Sequence, residues 1–293
     1  MTRLYLPARK PFDFRSVVDS HGWRQLAPFQ FDETASALFY TDHLASGRVI
    51  EYRVTGSADG LIAQTERLTK AEQTEVMDKL RWMFGLDLDF SAFHAASRLE
   101  PKLARAKKQA LGRVLRSPTL FEDVIKTILT TNTLWAATRN MTKKLVEEFG
   151  APTTGGRNRA FPTPGAIAAS NPHYIKETIR VGYRAPAIHD LAVRVASGKY
   201  DLEALKTAAL PTLELRKELM TIKGVGPYAA ANLLMILGRH NFIPIDSYAL
   251  MMVSHEWYRG KPVTAKQVEK RFARWGEFKG LAFWFWDWKY NGG

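Results

Sequence analysis

The chain has no cysteine, which excludes disulfides and cysteine-held zinc or iron–sulfur clusters. No apolar run is long enough to cross a bilayer. The opening stretch, MTRLYLPARKPFDF, carries basic residues but not the apolar centre of a secretory signal. These absences suit a reducing, cytoplasmic setting. Acid is also scarce: 29 Asp and Glu stand against 42 Lys and Arg, a formal net charge of +13. A balance of that kind is the mark of a protein that meets polyanions.

The excess is concentrated. PKLARAKKQALGRVLRS, residues 101–117, holds six Lys or Arg and no acid. One reading is a solvated helix face. A membrane surface is the poorer partner, because the run lacks the aromatic and leucine face of an interfacial helix. Nucleic acid is the better one. With 293 residues, 46% apolar and 12% aromatic, the chain can bury a sizeable core in one large or two ordinary domains.

The first ninety residues differ from the rest. In RVIEYRV, Ile50, Tyr52 and Val54 alternate with Glu51 and Arg53, as in a half-buried strand. Turn signals such as SG and TGSADG break this region into short strands, which predicts a small antiparallel sheet. A helical pattern begins near Thr69, and from Ser91 helix punctuation dominates. SPTLFEDVIKTIL offers Ser117 as a helix cap with Pro118 at the first helical position. The polar turn TTNT, residues 130–133, follows, and LWAATRNMTKKLVEEF then runs to Gly150 as a candidate left-handed helix end. The expected fold class is α+β: an N-terminal antiparallel sheet domain, 1–90, then an all-α domain, 91–293.

Chemistry concentrates in IKGVGPYAAANLLMILGRHNFIPIDS, residues 222–247. Two helical stretches flank KGVG, and Pro227 fits the first turn of the second. Glycines let a backbone approach a ligand closely, and the free N–H groups of a helix mouth suit phosphate. No Walker or dinucleotide fingerprint is present. An ordinary αα-hairpin with glycine in its turn fits the same pattern. Asp246 likewise reads either as a helix cap or as a functional carboxylate.

Taken together, LMTIKGVGPYAAANLLMIL and IPIDSYAL resemble the helix-hairpin-helix, Gly/Pro, Asp signature of a DNA glycosylase superfamily. That group includes 3-methyladenine glycosylase II, 8-oxoguanine glycosylase and endonuclease III. LFEDVIKTILTTNTLWAATRNMTKKLVEEFG, FPTPGAIAA, GYRAPAIHDLA and RWGEFKGLAFW agree in order and spacing, so the resemblance spans about residues 85–290. It implies phosphate binding by Lys223, Gly224, Val225 and Gly226, with room for a monovalent cation on hairpin carbonyls and no required metal or cofactor. It implies catalysis by Asp246 and a probing turn at Thr131, Asn132 and Thr133. Its implied partner is double-stranded DNA with a damaged base, met by a monomer that would be nucleoid-associated in a bacterium. No membrane partner is expected.

Two departures narrow the branch. Relatives that cut the strand place a lysine shortly after the second hairpin glycine, and this chain has Tyr228 there. The cluster-binding cysteines of the endonuclease III branch are missing. The expectation is hydrolysis without strand cleavage. Candidate base-pocket aromatics are Trp135, Tyr228, Trp257, Phe283 and Trp284, since flipped bases are held by stacking. Phe283 and Asp287 are expected one helical turn apart on a shared pocket-facing side, where Asp287 either reads a base edge or caps a surface. An alkylated purine comes first and oxidised guanine second. A non-catalytic helix-hairpin-helix DNA binder is the other alternative.

Overall fold

The computed structural model describes residues 1–289; the last four residues of the expected helical domain lie outside that range. Five strands come first: β1 (Thr2–Pro7), β2 (Gln30–Asp32), β3 (Ala37–His43), β4 (Val49–Gly56) and β5 (Gly60–Thr65). The helices are α1 (Phe14–Val18), between β1 and β2, then α2 (Lys70–Phe84), α3 (Ser91–Ser97), α4 (Leu120–Thr130) and α5 (Trp135–Phe149). After them come α6 (Pro164–Ala168), α7 (Pro172–Ile179), α8 (Ala185–Ala196), α9 (Thr212–Met220) and α10 (Pro227–Ile236). The last are α11 (Ser247–Trp257), α12 (Ala265–Phe272) and α13 (Lys279–Trp284). The fold is α+β, a sheet followed by helices.

Two compact units result. The first takes in Met1–Leu88, Arg113–Thr207 and Ile222–Gly224; the second takes in Asp89–Gly112, Ala208–Thr221 and the described residues from Val225 on.

The sheet of the first unit is antiparallel throughout, in the order β1-β5-β4-β3-β2. Ile50, Tyr52 and Val54 are buried while Glu51 and Arg53 are not, as their alternation predicts. Tyr52 sits opposite Tyr40 in register, and their rings stack at 5.7 Å. Thr69 and Glu72 form a capping box that starts α2, and Gly85 ends it in the left-handed region.

Helix α4 is buried almost end to end. Its cap is Thr119, not Ser117: the Thr119 hydroxyl accepts the Glu122 N–H, while the Ser117 N–H donates to Asp123. Pro118 therefore precedes the helix instead of opening it. Polar ties fix α4 to its surroundings. The Tyr40 hydroxyl donates to Glu122 at 2.6 Å, the Lys126 ammonium donates to the same carboxylate at 2.5 Å, and the Trp23 indole donates to Asp123 at 2.7 Å. Pairing is what makes these buried charges tolerable, and losing either partner is costly.

Burial pushes the Asp123 and Asp42 carboxyls up, each to about 6, against the pull of Trp23 and Ser117 on one and Lys79 on the other. Both hold a proton more tightly folded than unfolded. Their contribution to stability is full below about pH 4 and is lost as pH rises through about 6. Asn at position 123 keeps an acceptor for Trp23 and cannot ionise. Urea melts of Asp123→Asn should therefore gain on the parent by about 2 kcal/mol between pH 4 and pH 7. A difference constant across that range would refute the linkage.

Two more expectations are corrected here. Gly150 has φ −75°, so it is not a left-handed helix end. It is glycine because an added Cβ would lie 2.2 Å from the Ala160 carbonyl. The basic run is neither a helix face nor wholly exposed: residues 101–110 form successive turns, and Arg113 and Arg116 are buried. Arg113 donates to the carbonyls of Arg9, Pro11, Gly85 and Leu88. The Arg116 guanidinium lies 4.3 Å over Trp82, and burial pushes it down to about 10. In the second unit Lys102 pairs with Glu256 and Arg105 with Asp287. Lys107 and Lys108 are left as the exposed cations of the run.

Candidate nucleic-acid interface and catalytic carboxylate

In the second unit α9 and α10 pack together, joined through the KGVG turn. The two glycines of that turn have different physical reasons. Gly224 sits at φ +83°, and a Cβ there would lie 3.2 Å from Ala187, so the fold itself requires glycine. Gly226 is the N-cap of α10 at φ −90°, with open space where a Cβ would go. Nothing in the free protein demands a glycine at 226. Both glycines are exposed, Val225 is buried, and the N–H groups of 224–226 have no backbone partner among the described residues. Unpaired donors at a helix mouth, with Pro227 in its first turn, are what an anion needs. Lys223 donates to Asp190 at 2.7 Å from an exposed position.

Tyr228 occupies the first turn of α10 and is half-buried; α10 contains no lysine. Asp246 is the N-cap of α11, where Oδ1 accepts the Ala249 N–H at 2.8 Å. The cap and the functional reading are thus compatible. One carboxylate oxygen is held by the helix, and Oδ2, on a half-buried side chain, has no hydrogen-bond partner among the described residues. A carboxylate so fixed presents its charge in one direction.

The 131–133 turn belongs to the first unit and joins α4 to α5. Asn132 has φ +46°, a left-handed conformation that Asn tolerates better than most residues. The turn is braced from GYR, residues 182–184. The Asn132 amide donates to the Tyr183 hydroxyl at 3.2 Å, and Arg184 donates to the carbonyls of Thr131 and Asn132. Hydrogen bonds from the turn, led by Thr131, lower the Tyr183 phenol from its ordinary value. Three large side chains are exposed around it: Leu134 at 80%, Tyr183 at 63% and Trp135 at 37%. Trp135 lies against Gly22, where a Cβ would come within 2.2 Å of its ring, and its indole donates to Gln25 at 3.0 Å.

Sequence reasoning missed Leu134, Tyr183 and Arg184 as parts of this turn. The signal for Leu134 was weak, a leucine just outside an amphipathic helix. No sequence signal tied residues 183–184 to a turn fifty residues earlier.

Among the remaining candidates, Phe283 is buried in a ring cluster with Phe272 at 5.5 Å and Trp288 at 5.3 Å. Trp257 belongs to the same cluster, against Trp286 at 5.3 Å. Helix α13 stops at Trp284, so Asp287 is not a helical turn from Phe283. It is exposed and pairs with Arg105 at 4.0 Å. Among the described residues no group of His, Asp or Glu is arranged to hold a metal ion, and no helix is long and apolar enough to cross a membrane.

A paired-helix hairpin with open N–H groups, a carboxylate cap and a braced interhelical turn on an α+β frame define the class: the chain has the fold of DNA glycosylases. MBOgg1, solved in complex with a low-affinity DNA ligand, is 26% identical with a TM-score of 0.73 over 94% of this chain and 90% of that one. The 3-methyladenine DNA-glycosylase from Archaeoglobus fulgidus is 22% identical, TM-score 0.74, over 97% of both. The Clostridium acetobutylicum 8-oxoguanine glycosylase/lyase is 20% identical, TM-score 0.71, over 94% and 90%. No curated protein sequence matches the chain. Residues 125–278 match the HhH-GPD superfamily of base excision DNA repair proteins, and the chain belongs to that family.

Proposed function

We propose that the protein is a monofunctional DNA glycosylase that hydrolyses the N-glycosidic bond of a flipped-out damaged purine, with alkylated bases as its preferred substrates. The observation that carries the monofunctional reading is Tyr228: no amine stands in α10 to attack the sugar and form a Schiff base. In this reading Asp246 Oδ2 faces the sugar as the bond to the base breaks. Its charge stabilises the oxocarbenium character that develops, and it orients or deprotonates the attacking water. A base that is already cationic leaves without a separate general acid, which is why alkylated purines come first.

The backbone N–H groups of 224–226 hold a phosphate, and Lys223 exchanges part of its pairing with Asp190 for the DNA backbone. The carbonyls of the 222–225 turn accept no backbone hydrogen bond from the described residues, which leaves them open to a monovalent cation. Such an ion would add positive charge beside the phosphate. Asn132 and the exposed Leu134 enter the stack vacated by the extruded nucleotide, as apolar and amide wedges do. Tyr228 is the stacking candidate for the base.

Oxidised guanine is the second reading, supported by the likeness of GYRAP and RWGEFKGLAFW to that branch and by fold neighbours of both kinds. A release assay on duplexes each carrying one defined damaged base decides between them. Release of 3-methyladenine or 7-methylguanine is expected; release of 8-oxoguanine alone would favour the second reading, and no release from any duplex would leave a DNA binder. Borohydride on abasic DNA should trap little protein, and efficient trapping would overturn the monofunctional assignment.

A further inference from the structure

A basic cleft of about 630 Å³ opens in the first unit, and none of the residues assigned above to catalysis or phosphate binding lines it. One wall is the outer face of α5, with Arg139 and Lys143 one helical turn apart. The other is the short hairpin that follows α5. That hairpin is closed by the Pro152–Arg159 bridge and by the Thr153 N–H donating to the Asn158 carbonyl at 2.9 Å. Its base is anchored, since Arg159 donates to the Gly150 carbonyl at 2.7 Å and the Asn158 amide donates to Glu51 of β4. Its tip, Gly155-Gly156-Arg157, is exposed, and a Cβ added at either glycine would meet only open space.

The lining holds Arg139, Lys143, Arg157 and Arg159 against one carboxylate, Glu147, which already pairs with Lys143 at 3.6 Å. Arg139 and Arg157 are exposed and have no hydrogen-bond or ion-pair partner among the described residues. Two unpaired guanidiniums on opposite walls of one cleft are a fork for phosphate oxygens. The floor is Phe29 and Val146, both buried, so the cleft offers no exposed ring on which a base could stack. Its chemistry suits a sugar–phosphate backbone, not a nucleobase. Its place suits the same duplex. Helix α5 starts two residues after the 131–133 turn, and Arg139 and Lys143 stand about 6 and 12 Å along the helix from Trp135.

We infer that this cleft is a second backbone-binding channel, which holds phosphates of the duplex a few nucleotides from the one probed by the 131–133 turn. The inference rests on the DNA-binding part of the function proposed above.

The test is the salt dependence of binding to an undamaged duplex, which does not require base release. Each lost phosphate contact makes the slope of log K against log salt less negative by about 0.9. Arg139→Ala with Arg157→Ala should flatten it by about 1 to 2, and Arg139→Lys alone should leave it nearly as in the parent. Arg67→Ala, an exposed arginine outside the cleft, serves as the control and should leave the slope unchanged. An unchanged slope in the double variant overturns the channel and leaves the cleft to another anionic partner, such as an acidic peptide. So does an equal change with Arg67→Ala. If the double variant melts early, Arg157→Ala at the free hairpin tip carries the test alone, with an expected change of about 0.9. Base release by the parent protein is scored separately. A flat result there sinks the glycosylase reading without touching the channel, and a normal result with an unchanged slope sinks the channel alone.

Discussion

Asp246→Asn is expected to abolish base release while duplex affinity stays within a few-fold of the parent. The substitution is a clean probe because of what Asp246 does in the free protein. Its Oδ1 caps α11 by accepting the Ala249 N–H, and an asparagine oxygen caps a helix about as well. Shape and cap are kept, and the charge is lost. If the carboxylate stabilises a developing oxocarbenium ion and positions water, single-turnover release should fall by about 10² to 10⁴. Binding, which rests on phosphates, should not follow. Alanine would be a poorer choice, because it removes the cap as well, at a cost of about 1 kcal/mol. Single-turnover release under excess enzyme, beside anisotropy titrations of the same duplex, separates the two effects. Unchanged turnover in Asp246→Asn would leave Asp246 as a cap and nothing more.

Local physics made part of this molecule readable from its sequence. The alternation around Tyr52 read as a half-buried strand, and the helical pattern beginning near Thr69 was legible because that helix start is set by hydrogen bonds made within four residues. The hairpin was legible because Gly, Val, Gly and Pro occupy adjacent positions whose conformations are set locally. What failed involved distant partners. The basic run 101–117 read as a charged surface, yet Arg113 is consumed by four carbonyls from other segments and Arg116 by Trp82. No window on the run itself contains those acceptors. Ser117 and Thr119 can both cap a helix by type; the Thr119 hydroxyl accepts the Glu122 N–H, while the Ser117 hydroxyl lies against the Lys126 ammonium nine residues on. The pairing of Phe283 with Asp287 failed because α13 ends three residues before the aspartate. The bracing of Asn132 by Tyr183 and Arg184 is likewise a long-range fact. In the function proposed above, the same bracing would stiffen the turn for insertion into a base stack.

The other large effect is expected at Gly226, and it separates fold from ligand within one turn. Gly224 and Gly226 look equivalent in sequence, but only Gly224 needs glycine for the free protein. At φ +83°, with Ala187 3.2 Å from a would-be Cβ, Gly224→Ala should destabilise by about 1–2 kcal/mol through left-handed strain alone. Gly226 has a backbone any residue adopts and empty space around it. Gly226→Ala should therefore alter stability by less than about 1 kcal/mol, the balance of a poorer cap against a less flexible unfolded chain. Its effect should appear only when DNA arrives. If 224–226 is the phosphate site proposed above, a methyl group on that face would obstruct the approach to its N–H groups, and affinity should fall about tenfold, equivalent to about 1.4 kcal/mol. The loss should be the same for damaged and undamaged duplexes, because a phosphate carries no information about the base. Melting curves and parallel anisotropy titrations of the two variants make the comparison. A Gly226→Ala protein that binds every duplex like the parent would mean that the open N–H groups are not the phosphate site. A loss confined to damaged duplexes would place residue 226 beside the base instead of the backbone. With stability intact and affinity lowered uniformly, the glycine at 226 is there for what the turn holds, whereas the glycine at 224 is there for the turn.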